Sequence, residues 1–299
     1  MNTDAVYYPA LCYGEILWDV LPGVMVPGGA PMNVAYHLAR NGVAPALVTR
    51  VGPDEDGKKL IELMERQRLS TQFFQMDFEL PTGKVYATVL DNHDVAYDIR
   101  KPAAWDNIQW EEDFNALLSD ASYLVFGCLA CRTATSRDTL FRLREAARYR
   151  VLDINLRPPH FSRHIVEQLL EDVDLLKLNL AELELITGWF SNHKDTQDRV
   201  QLLQDRFRIP NIVVTRGDRG AMMNLQGALY DHPGFQVQVV DCIGSGDAFL
   251  AGFIAGMYRE ANPADALDFA CALGALVAGS AGPCPEYEVS DVQQLIAAG

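Results

Sequence analysis

Hydrophobic positions along this chain form short apolar runs separated by segments with helical spacing. The apolar runs predict buried strands at residues 11–17, 46–51, 123–127, 151–155, 175–179 and 212–215. The segments between them predict helices at residues 33–39, 58–67, 135–148, 161–170, 181–188 and 196–207. Three further helices are predicted at residues 247–260, 263–278 and 290–298. This alternation predicts an α/β fold with a doubly wound, mostly parallel sheet and helices on both faces.

The segment from residue 83 to residue 100 departs from this rhythm. Val85, Ala87 and Val89 alternate with polar residues, a turn-forming stretch follows at residues 91–94, and residues 95–100 run back, which predicts a β-hairpin. Because a lone hairpin is marginally stable in water, it must pack on a ligand cleft, the main domain or a second copy of the chain. We expect a lid at residues 73–104, inserted in one domain that spans residues 1–299. The sequence also leaves open a homodimer formed through this lid.

The acidic composition narrows the classes of partner. The chain has 299 residues, 49% of them hydrophobic, and its 40 acidic and 25 basic residues give a formal net charge of -15. This charge argues against nucleic acid and anionic membranes, both of which attract basic proteins. No apolar run is long enough to span a membrane, and the first residues do not resemble a secretory signal. The six scattered cysteines predict reduced thiols in a cytoplasmic protein, and the isolated pair Cys128 and Cys131 gives little support to zinc or redox chemistry.

The most distinctive stretch contains two glycines around a serine, directly before an apolar helix. The N–H groups of Gly244, Ser245 and Gly246 therefore stand at a helix N-terminus, where anions bind. Asp247 falls in the first helical turn and is placed to accept a proton from an attacking hydroxyl group. Together these features indicate phosphoryl transfer to an alcohol. The plain alternative is a turn followed by a helix cap.

Polar residues cluster where the predicted strands end. They are Glu15 and Asp19, then Asp153, Asn155 and Arg157, then Lys177 and Asn179, and finally Thr215, Gly217 and Gly220. Each one alone is compatible with a cap or a turn. In open parallel sheets, however, ligands bind beyond the carboxyl ends of the strands. Polar residues at the ends of successive strands therefore predict a nucleotide-type site.

Two further patterns bear on metal and phosphate binding. Asn179 and Glu182 are three residues apart at a helix start, so both can face one point and suit Mg²⁺ bound through water; a capping pair is the alternative. Residues 52–59 nearly have the spacing of a phosphate-binding P-loop. Lys59, however, stands where a hydroxyl would bind Mg²⁺, and three carboxylates in the segment would repel phosphate. We interpret this segment as a turn and a helix N-terminus.

Two signatures and three supporting motifs resemble the ribokinase/PfkB family of sugar kinases over nearly the whole chain, and most closely its fructokinase branch. The signatures are residues 28–35 and 241–249, and the supporting motifs are residues 14–19, 177–182 and 214–217. The resemblance implies a ribokinase-like fold with a small β lid. Cys242 stands where the family usually has Thr, and Ser245 where Ala is common, but the acidic residue and both glycines are retained.

The resemblance also implies roles in an ATP-dependent transfer to the primary hydroxyl of fructose. Asp247 would be the base, and the N–H groups of Gly244, Ser245 and Gly246 would hold the moving phosphoryl group. The implied sugar contacts are Asp19, Gly29 and Asn33, and we add Gly28 and Arg157 as candidates. The implied ATP contacts are Lys177, Thr215, Gly217 and Gly220, and we add Asn179 and Gly282 as candidates. Asn179 and Glu182 would bind Mg²⁺ through water, and carbonyl groups of Asp241, Ile243, Val277, Ser280 and Gly282 are candidates for K⁺.

The acceptor and the function class leave alternatives open. Tyr97 and Arg100, on the returning hairpin strand, are predicted to approach the sugar or its product, with ordinary hairpin packing as the alternative. A related kinase for ribose, a sugar acid or a nucleoside is one alternative function. A catalytically silent sugar-binding regulator is another, although the intact Asp247 and its glycines argue against it. The negative net charge mildly favours a neutral sugar.

Overall fold

The structure is a computed structural model that describes residues 7–21, 23–89 and 95–298, with the backbone alone at 87–89 and 95–97. The predicted turn at residues 91–94 lies outside the described residues. The strands are β1 (Ala10–Tyr13), β2 (Leu17–Leu21), β3 (Val24–Gly28), β4 (Pro45–Val51), β5 (Phe74–Met76), β6 (Gly83–Val89), β7 (Val95–Ile99), β8 (Tyr123–Gly127), β9 (Arg150–Asp153), β10 (Leu175–Asn179), β11 (Asn211–Thr215), β12 (Ala221–Leu225) and β13 (Ala228–His232). The helices are α1 (Ala30–Arg40), α2 (Glu55–Arg66), α3 (Asp113–Asp120), α4 (Ala134–Ala146), α5 (Arg163–Leu170), α6 (Leu180–Thr187), α7 (Thr196–Phe207), α8 (Ser245–Tyr258), α9 (Pro263–Ala278) and α10 (Val289–Ala298).

Nine strands form the main sheet in the order β13-β12-β11-β10-β9-β8-β1-β4-β5. The pairs from β5 to β11 are parallel, whereas β12 and β13 extend one edge in antiparallel fashion. The predicted doubly wound, mostly parallel sheet is therefore confirmed. The short strands β5, β12 and β13 and the helix α3 were not expected from the hydrophobic pattern.

Helices cover both faces of this sheet, and the alternation of side chains along each strand divides the core in two. In β1, Leu11 and Tyr13 join the apolar cluster on one face. Ala10 and Cys12 join the cluster on the other face, which includes buried residues of α1, α8 and α9. This double burial explains why the strands are apolar throughout. Among the helices that the structure describes, none combines the length and apolar character needed to cross a membrane.

A second, four-stranded sheet has the order β3-β2-β6-β7, and we call it the small sheet. The predicted hairpin is confirmed as β6 and β7, which pair in antiparallel fashion. It does not stand alone, because β6 also pairs in parallel with β2. Two further strands, β2 and β3, thus supply the support that a lone hairpin lacks.

The prediction of one strand across residues 11–17 is wrong. The chain leaves the main sheet after Tyr13, and Leu17 begins β2 in the small sheet. Gly14 lies between them with φ of 139°, a conformation that glycine adopts readily. A Cβ atom at this glycine would also stand 2.9 Å from the ring of Pro31. The break therefore combines a permissive backbone with close packing on α1.

Candidate active site

A cavity of about 580 Å³ opens where the carboxyl ends of the main-sheet strands meet α1, α8 and the small sheet. The small sheet contributes Leu17, Asp19, Leu21, Val85 and Ile99 to its lining. The strand ends contribute Asp153, Asn155, Arg157, Lys177, Asn179 and Thr215, and the helix starts contribute Gly29, Asn33, Gly244, Gly246 and Asp247. The polar residues predicted at successive strand ends thus meet in one place.

Asp247 lies in the first turn of α8 with a side chain that faces this cavity. The residue is 9% exposed, and its Oδ2 atom accepts a hydrogen bond of 2.7 Å from Nδ2 of Asn33. Burial and the neighbouring Asp153 raise the pKa of Asp247 to about 6, against the opposing effects of Lys177, Asn33 and Arg157. A carboxyl group with this pKa is ionised at neutral pH and is a stronger base than an ordinary aspartate.

The start of α8 presents backbone N–H groups to the cavity. The N-cap is Gly244, which has φ of 77° and no side chain with which to cap the helix. Gly244 and Gly246 line the cavity, as expected for a backbone anion site. Ser245 differs from the prediction, because its N–H donates to the carbonyl of Cys242 at 3.3 Å and its Oγ donates to the same oxygen at 2.9 Å. Its amide is therefore already engaged.

A buried ion pair lies beside these amides. Nζ of Lys177 donates to Oδ2 of Asp153 at 2.7 Å, and a Cβ atom added to Gly246 would be 3.0 Å from the same Nζ. Burial lowers the pKa of Lys177, but Asp153 and Asp247 outweigh it and the pKa is raised overall. Lys177 is therefore a fixed positive charge next to the α8 N-terminus. Asp153 lines the cavity at the end of β9, as the rule that ligands bind at strand ends predicts.

The other end of the cavity holds a glycine pair and Asp19. A Cβ atom at Gly28 would be 2.2 Å from Oδ2 of Asp19, and one at Gly29 would be 2.4 Å from the carbonyl oxygen of Glu15. Gly29 therefore requires glycine, because it packs on backbone and has φ of 113°, whereas a side chain at Gly28 would displace the Asp19 carboxylate. Burial raises the pKa of Asp19 to about 6, although Arg157 lowers it and Asp241 raises it further. Gly29, Asp19 and Arg157 line the cavity, whereas Gly28 lies behind Asp19.

Glu15, one of the polar residues predicted at strand ends, also lines the cavity, although the sequence gave it no specific contact. Its Oε1 atom accepts the N–H of Ala30 at 3.3 Å, and its Oε2 atom is buried without a hydrogen-bond partner in the described part of the chain. Burial raises the pKa of Glu15 to about 7. The signal was present, since Glu15 is an acidic residue at the end of an apolar strand.

Asn179 and Glu182 form a reciprocal cap at the start of α6. Oδ1 of Asn179 accepts the Glu182 N–H, and Oε2 of Glu182 accepts the Asn179 N–H, each at 2.9 Å. Oε1 of Glu182 accepts the Leu156 N–H at 2.8 Å. Burial, followed by Asp153, raises the pKa of Glu182. The capping pair considered as the alternative to a metal site is therefore present in the structure. Of the two residues, Asn179 lines the cavity and Glu182 does not.

Only some of the residues predicted to bind the nucleotide line the cavity. Thr215 lines the cavity, whereas Gly217 and Gly282 have open space where a Cβ atom would be. Gly220 is required for packing, because a Cβ atom there would be 2.1 Å from the carbonyl oxygen of His232. Ile243 lines the cavity, and its N–H donates to Oδ1 of Asp241 at 2.9 Å.

Of the two hairpin residues predicted to approach the sugar, Arg100 does not line the cavity. Arg100 pairs with Asp98 at 3.3 Å and lies over the ring of Tyr86, with 4.8 Å to its centroid. Val85 and Ile99, on the opposite face, line the cavity. The expectation for Arg100 is thus corrected, because side chains alternate along a strand and Arg100 follows an inward-facing residue. The side chain of Tyr97 lies outside the described residues.

A mostly parallel α/β sheet with an uncapped helix N-terminus and a buried carboxylate at one cavity is the arrangement expected of an enzyme that transfers anionic groups. The family model for the pfkB family carbohydrate kinase matches residues 1–288. The chain therefore belongs to the pfkB family of carbohydrate kinases, which are phosphotransferases with an alcohol group as acceptor.

Individual relatives agree with this assignment. A fructokinase from Klebsiella pneumoniae is 27% identical over 264 residues, covering 84% of each protein. A fructokinase structure from Xylella fastidiosa with bound ATP has a TM-score of 0.86 at 24% identity, covering 97% of this chain and 98% of that one. A fructokinase structure from Vibrio cholerae O395 with fructose, ADP and potassium ion has a TM-score of 0.82 at 24% identity, with coverage of 97% and 98%. The two structures share the fold of this protein.

Proposed function

We propose that this sugar kinase transfers the γ-phosphoryl group of ATP to the primary hydroxyl of fructose. The observation that carries the proposal is the position of Asp247, a buried carboxylate with a raised pKa at the mouth of an uncapped helix N-terminus. The fructokinase names of the relatives support fructose as the acceptor. Asp19, Asn33 and Arg157 line the same cavity and offer polar atoms to a neutral sugar.

The transfer proceeds as an in-line displacement. Asp247 accepts the proton of the acceptor hydroxyl as its oxygen forms a bond to the γ-phosphorus, and the bond from that phosphorus to the bridging oxygen of ADP breaks. The cavity-facing amides at the start of α8 stabilise the charge on the transferred group. Asn33 holds the carboxylate in place through its hydrogen bond of 2.7 Å.

Lys177 supplies positive charge to the triphosphate. Its Nζ is bonded to Asp153 and lies next to Gly246, so a phosphoryl group at the helix N-terminus would meet both the amides and this ammonium group. Thr215 extends the same edge towards the nucleotide. Gly217, Gly220 and Gly282 are assigned to the surrounding nucleotide loops, where Gly220 acts through backbone packing.

The donor atoms fit Mg²⁺ bound through water. The described residues contain no cluster of three or more acidic, His or Cys side chains that could ligate a metal directly. Each carboxylate oxygen of Glu182 accepts one backbone N–H and retains a lone pair for a water molecule. Because Mg²⁺ commonly keeps several waters, Asn179 and Glu182 would hold it through them, and the ion would neutralise phosphate charge.

The loops proposed to hold K⁺ are adjacent. The N–H groups of Val240 and Asp241 both donate to the carbonyl of Ala278, at 2.9 and 3.2 Å. This contact joins the segment that contains Asp241 to the end of α9 at Ala278. The potassium ion in the Vibrio cholerae fructokinase structure supports the assignment. The Val277 carbonyl is a weaker candidate, because it accepts the Ser280 N–H at 2.9 Å.

The small sheet is proposed to be the lid that covers the acceptor. Val85 and Ile99 place apolar side chains on the cavity, which would exclude water from the reacting groups. Val24 and Met25 on β3, an edge strand, are 51% and 40% exposed. A second copy of the chain that packed on this strand would form the homodimer, and the molar mass in solution would test it.

The substrate panel tests the proposed function. Purified protein with ATP and Mg²⁺ is assayed for ADP release against fructose, ribose, other neutral sugars, a sugar acid and a nucleoside, with and without K⁺. We expect the highest kcat/KM with fructose and no release without an acceptor beyond slow hydrolysis. A different preferred acceptor would overturn the fructose assignment, and ADP release with no acceptor dependence would overturn the kinase mechanism.

A further inference from the structure

The side chain of Arg132 joins the end of strand β7 to the main domain. Its Nη1 atom donates to the carbonyl of Ile99 at 3.4 Å, and its Nη2 donates to the carbonyl of Arg100 at 2.6 Å. The same guanidinium donates to both carboxylate oxygens of Asp106, from Nε at 2.6 Å and from Nη2 at 2.8 Å. The two side chains are 1% and 3% exposed. Arg132 therefore makes four hydrogen bonds from the five N–H groups of its guanidinium, although its side chain is almost fully buried.

The surroundings of this ion pair fix the plane of the guanidinium. The group lies over the ring of the buried Trp105, with 3.9 Å to the centroid. Asp106 also accepts the N–H of Ala103 at 2.9 Å, so its own orientation is set by the chain that follows β7. A lysine could supply the charge here, but it could supply neither the planar stacking nor the paired hydrogen bonds.

Arg132 connects two walls of the substrate cavity without lining it. Ile99, whose carbonyl it holds, lies on the cavity from the small sheet. Cys128 and Leu129 line the cavity from the main domain, and the N–H of Arg132 donates to the carbonyl of Leu129 at 3.2 Å. The side chain thus links two sides of the cavity. One is the small-sheet side at Ile99, which we call the roof, and the other is the main-domain side at Leu129.

The other end of the hairpin is also held by buried polar contacts. Thr82, directly before β6, donates from Oγ1 to Oδ1 of Asp54 at 2.6 Å and from its N–H to Oδ2 at 2.9 Å. Asp54 also caps α2 by accepting the Gly57 N–H at 2.8 Å. This is the segment that nearly matches a P-loop, so its carboxylate serves as an anchor and not as a phosphate site. The hairpin is therefore held at both ends, in addition to the pairing of β6 with β2 and the ion pair of Lys84 with Asp56 at 2.6 Å.

We propose that Arg132 is a positioning residue for phosphoryl transfer, which holds the Ile99 roof against the cavity wall so that the acceptor hydroxyl, and not water, meets the phosphoryl group. Arg132 contacts no reacting atom and acts through the carbonyls of Ile99 and Arg100. The inference rests on the proposed function of the small sheet as the acceptor's cover.

Two variants test this role. Arg132→Lys keeps the buried positive charge but loses the planar set of guanidinium N–H donors. The double variant Arg132→Met with Asp106→Asn removes both charges, so that neither is left buried and unpaired. We expect KM for fructose to rise about tenfold in each, kcat at saturating fructose to fall less than about threefold, and ATP hydrolysis without acceptor to rise severalfold. A purely structural role would not produce this split between KM, kcat and hydrolysis.

Arg142→Gln is the matched control. Arg142 also stacks on a tryptophan, with 3.7 Å to the ring centroid of Trp110, but it pairs with Glu112 and makes no described contact with the small sheet. The control should keep wild-type kinetics. Unchanged KM and unchanged acceptor-free hydrolysis in Arg132→Lys would overturn the proposal, as would the same shift in the control.

Amide hydrogen exchange separates this proposal from the sugar assignment. In the Arg132 variants, the amides of β7 and the N–H of Arg100, which donates to Lys84 at 3.0 Å, should exchange at least about tenfold faster than in the wild type. This readout needs no substrate, so it stands if another sugar proves to be the acceptor. Unchanged exchange in β7 would contradict the anchor itself.

Discussion

Helices α6 and α8 have an acidic residue at the same position after the N-cap, but this residue has different partners in the two helices. Each carries an acidic residue three places after its N-cap, Glu182 in α6 and Asp247 in α8. In α6 the N-cap is Asn179, and the two side chains satisfy each other's backbone N–H groups. In α8 the N-cap is Gly244, which has no side chain, and Asp247 accepts from Asn33 on another helix. One helix start is closed by its own side chains, while the other is left open to a ligand.

The difference shows that geometry, and not acidity, separates a structural carboxylate from a catalytic one. Burial and the nearby Asp153 raise the pKa of both groups. Both oxygens of Glu182 accept backbone N–H groups, and the residue does not line the cavity. Asp247 lines it beside free helix amides, where a hydroxyl and a phosphoryl group can meet.

The largest expected effect is the loss of the base in Asp247→Asn. The amide keeps the shape and the contact with Asn33 but cannot take a proton, so kcat should fall by about 10²–10⁴-fold. A coupled ADP-release assay measures it, with calorimetric binding of ATP and fructose to show that both sites are intact. A rate near that of the wild type would remove Asp247 from the mechanism.

Gly246→Ala sharpens the comparison at the open helix start. The added methyl would be 3.0 Å from Nζ of Lys177 and would crowd the phosphoryl site between that ammonium group and the helix amides. We expect kcat to fall roughly tenfold to a hundredfold, with little change in the melting temperature. Ala251→Gly, deeper in the same helix, is a control for helix stability, and it should cost stability and leave kcat unchanged. Equal kinetic losses in the two variants would count against a phosphoryl site at Gly246.

Glu182→Gln should have the smallest effect. Replacing one capping partner should lower the free energy of unfolding by about 1 kcal/mol, because a glutamine amide can still accept one of the two N–H groups. The Mg²⁺ concentration for half-maximal rate should rise severalfold if waters bridge this group to the ion. Urea denaturation and a Mg²⁺ titration measure the two effects. A loss of kcat as large as in Asp247→Asn would break the distinction between the two helices.

Much of the fold could be predicted because the burial pattern is strong. Strands β8 and β10 and helices α7 and α9 have the predicted bounds. The chain's departure to the small sheet after Tyr13 was missed, because an apolar run cannot show that it changes sheets midway. The edge strand β13 was missed for a related reason, since it is largely exposed and lacks a continuous apolar run. Strand β12 is buried, but its apolar run ends after three residues at Asn224.

The site was predictable where polar side chains mark strand ends. Asp19, Lys177, Thr215 and Asp247 line one cavity, as the position of parallel strand ends requires. The apolar roof could not be seen in a search for polar motifs, because Val85 and Ile99 carry no chemical signal. Hydrogen-bond partners such as Asn33 for Asp247, 214 residues apart, follow only from the tertiary fold. The prediction for Arg100 failed because this residue directly follows Ile99, which faces the cavity, and neighbouring side chains on a strand point to opposite faces.

The pH dependence of kcat/KM for the acceptor tests the central claim most directly. With a pKa of about 6, Asp247 is ionised above that pH, so the rate should rise tenfold per pH unit below about 6 and level off above about 7. Glu15 and Asp19 have pKa values of about 7 and about 6, so Glu15→Gln and Asp19→Asn are measured beside the wild type. We predict that the decrease in kcat/KM below about pH 6 persists in both variants. A wild-type kcat/KM that does not change between pH 5 and 7, or a decrease that is lost in either variant, would contradict the assignment of Asp247.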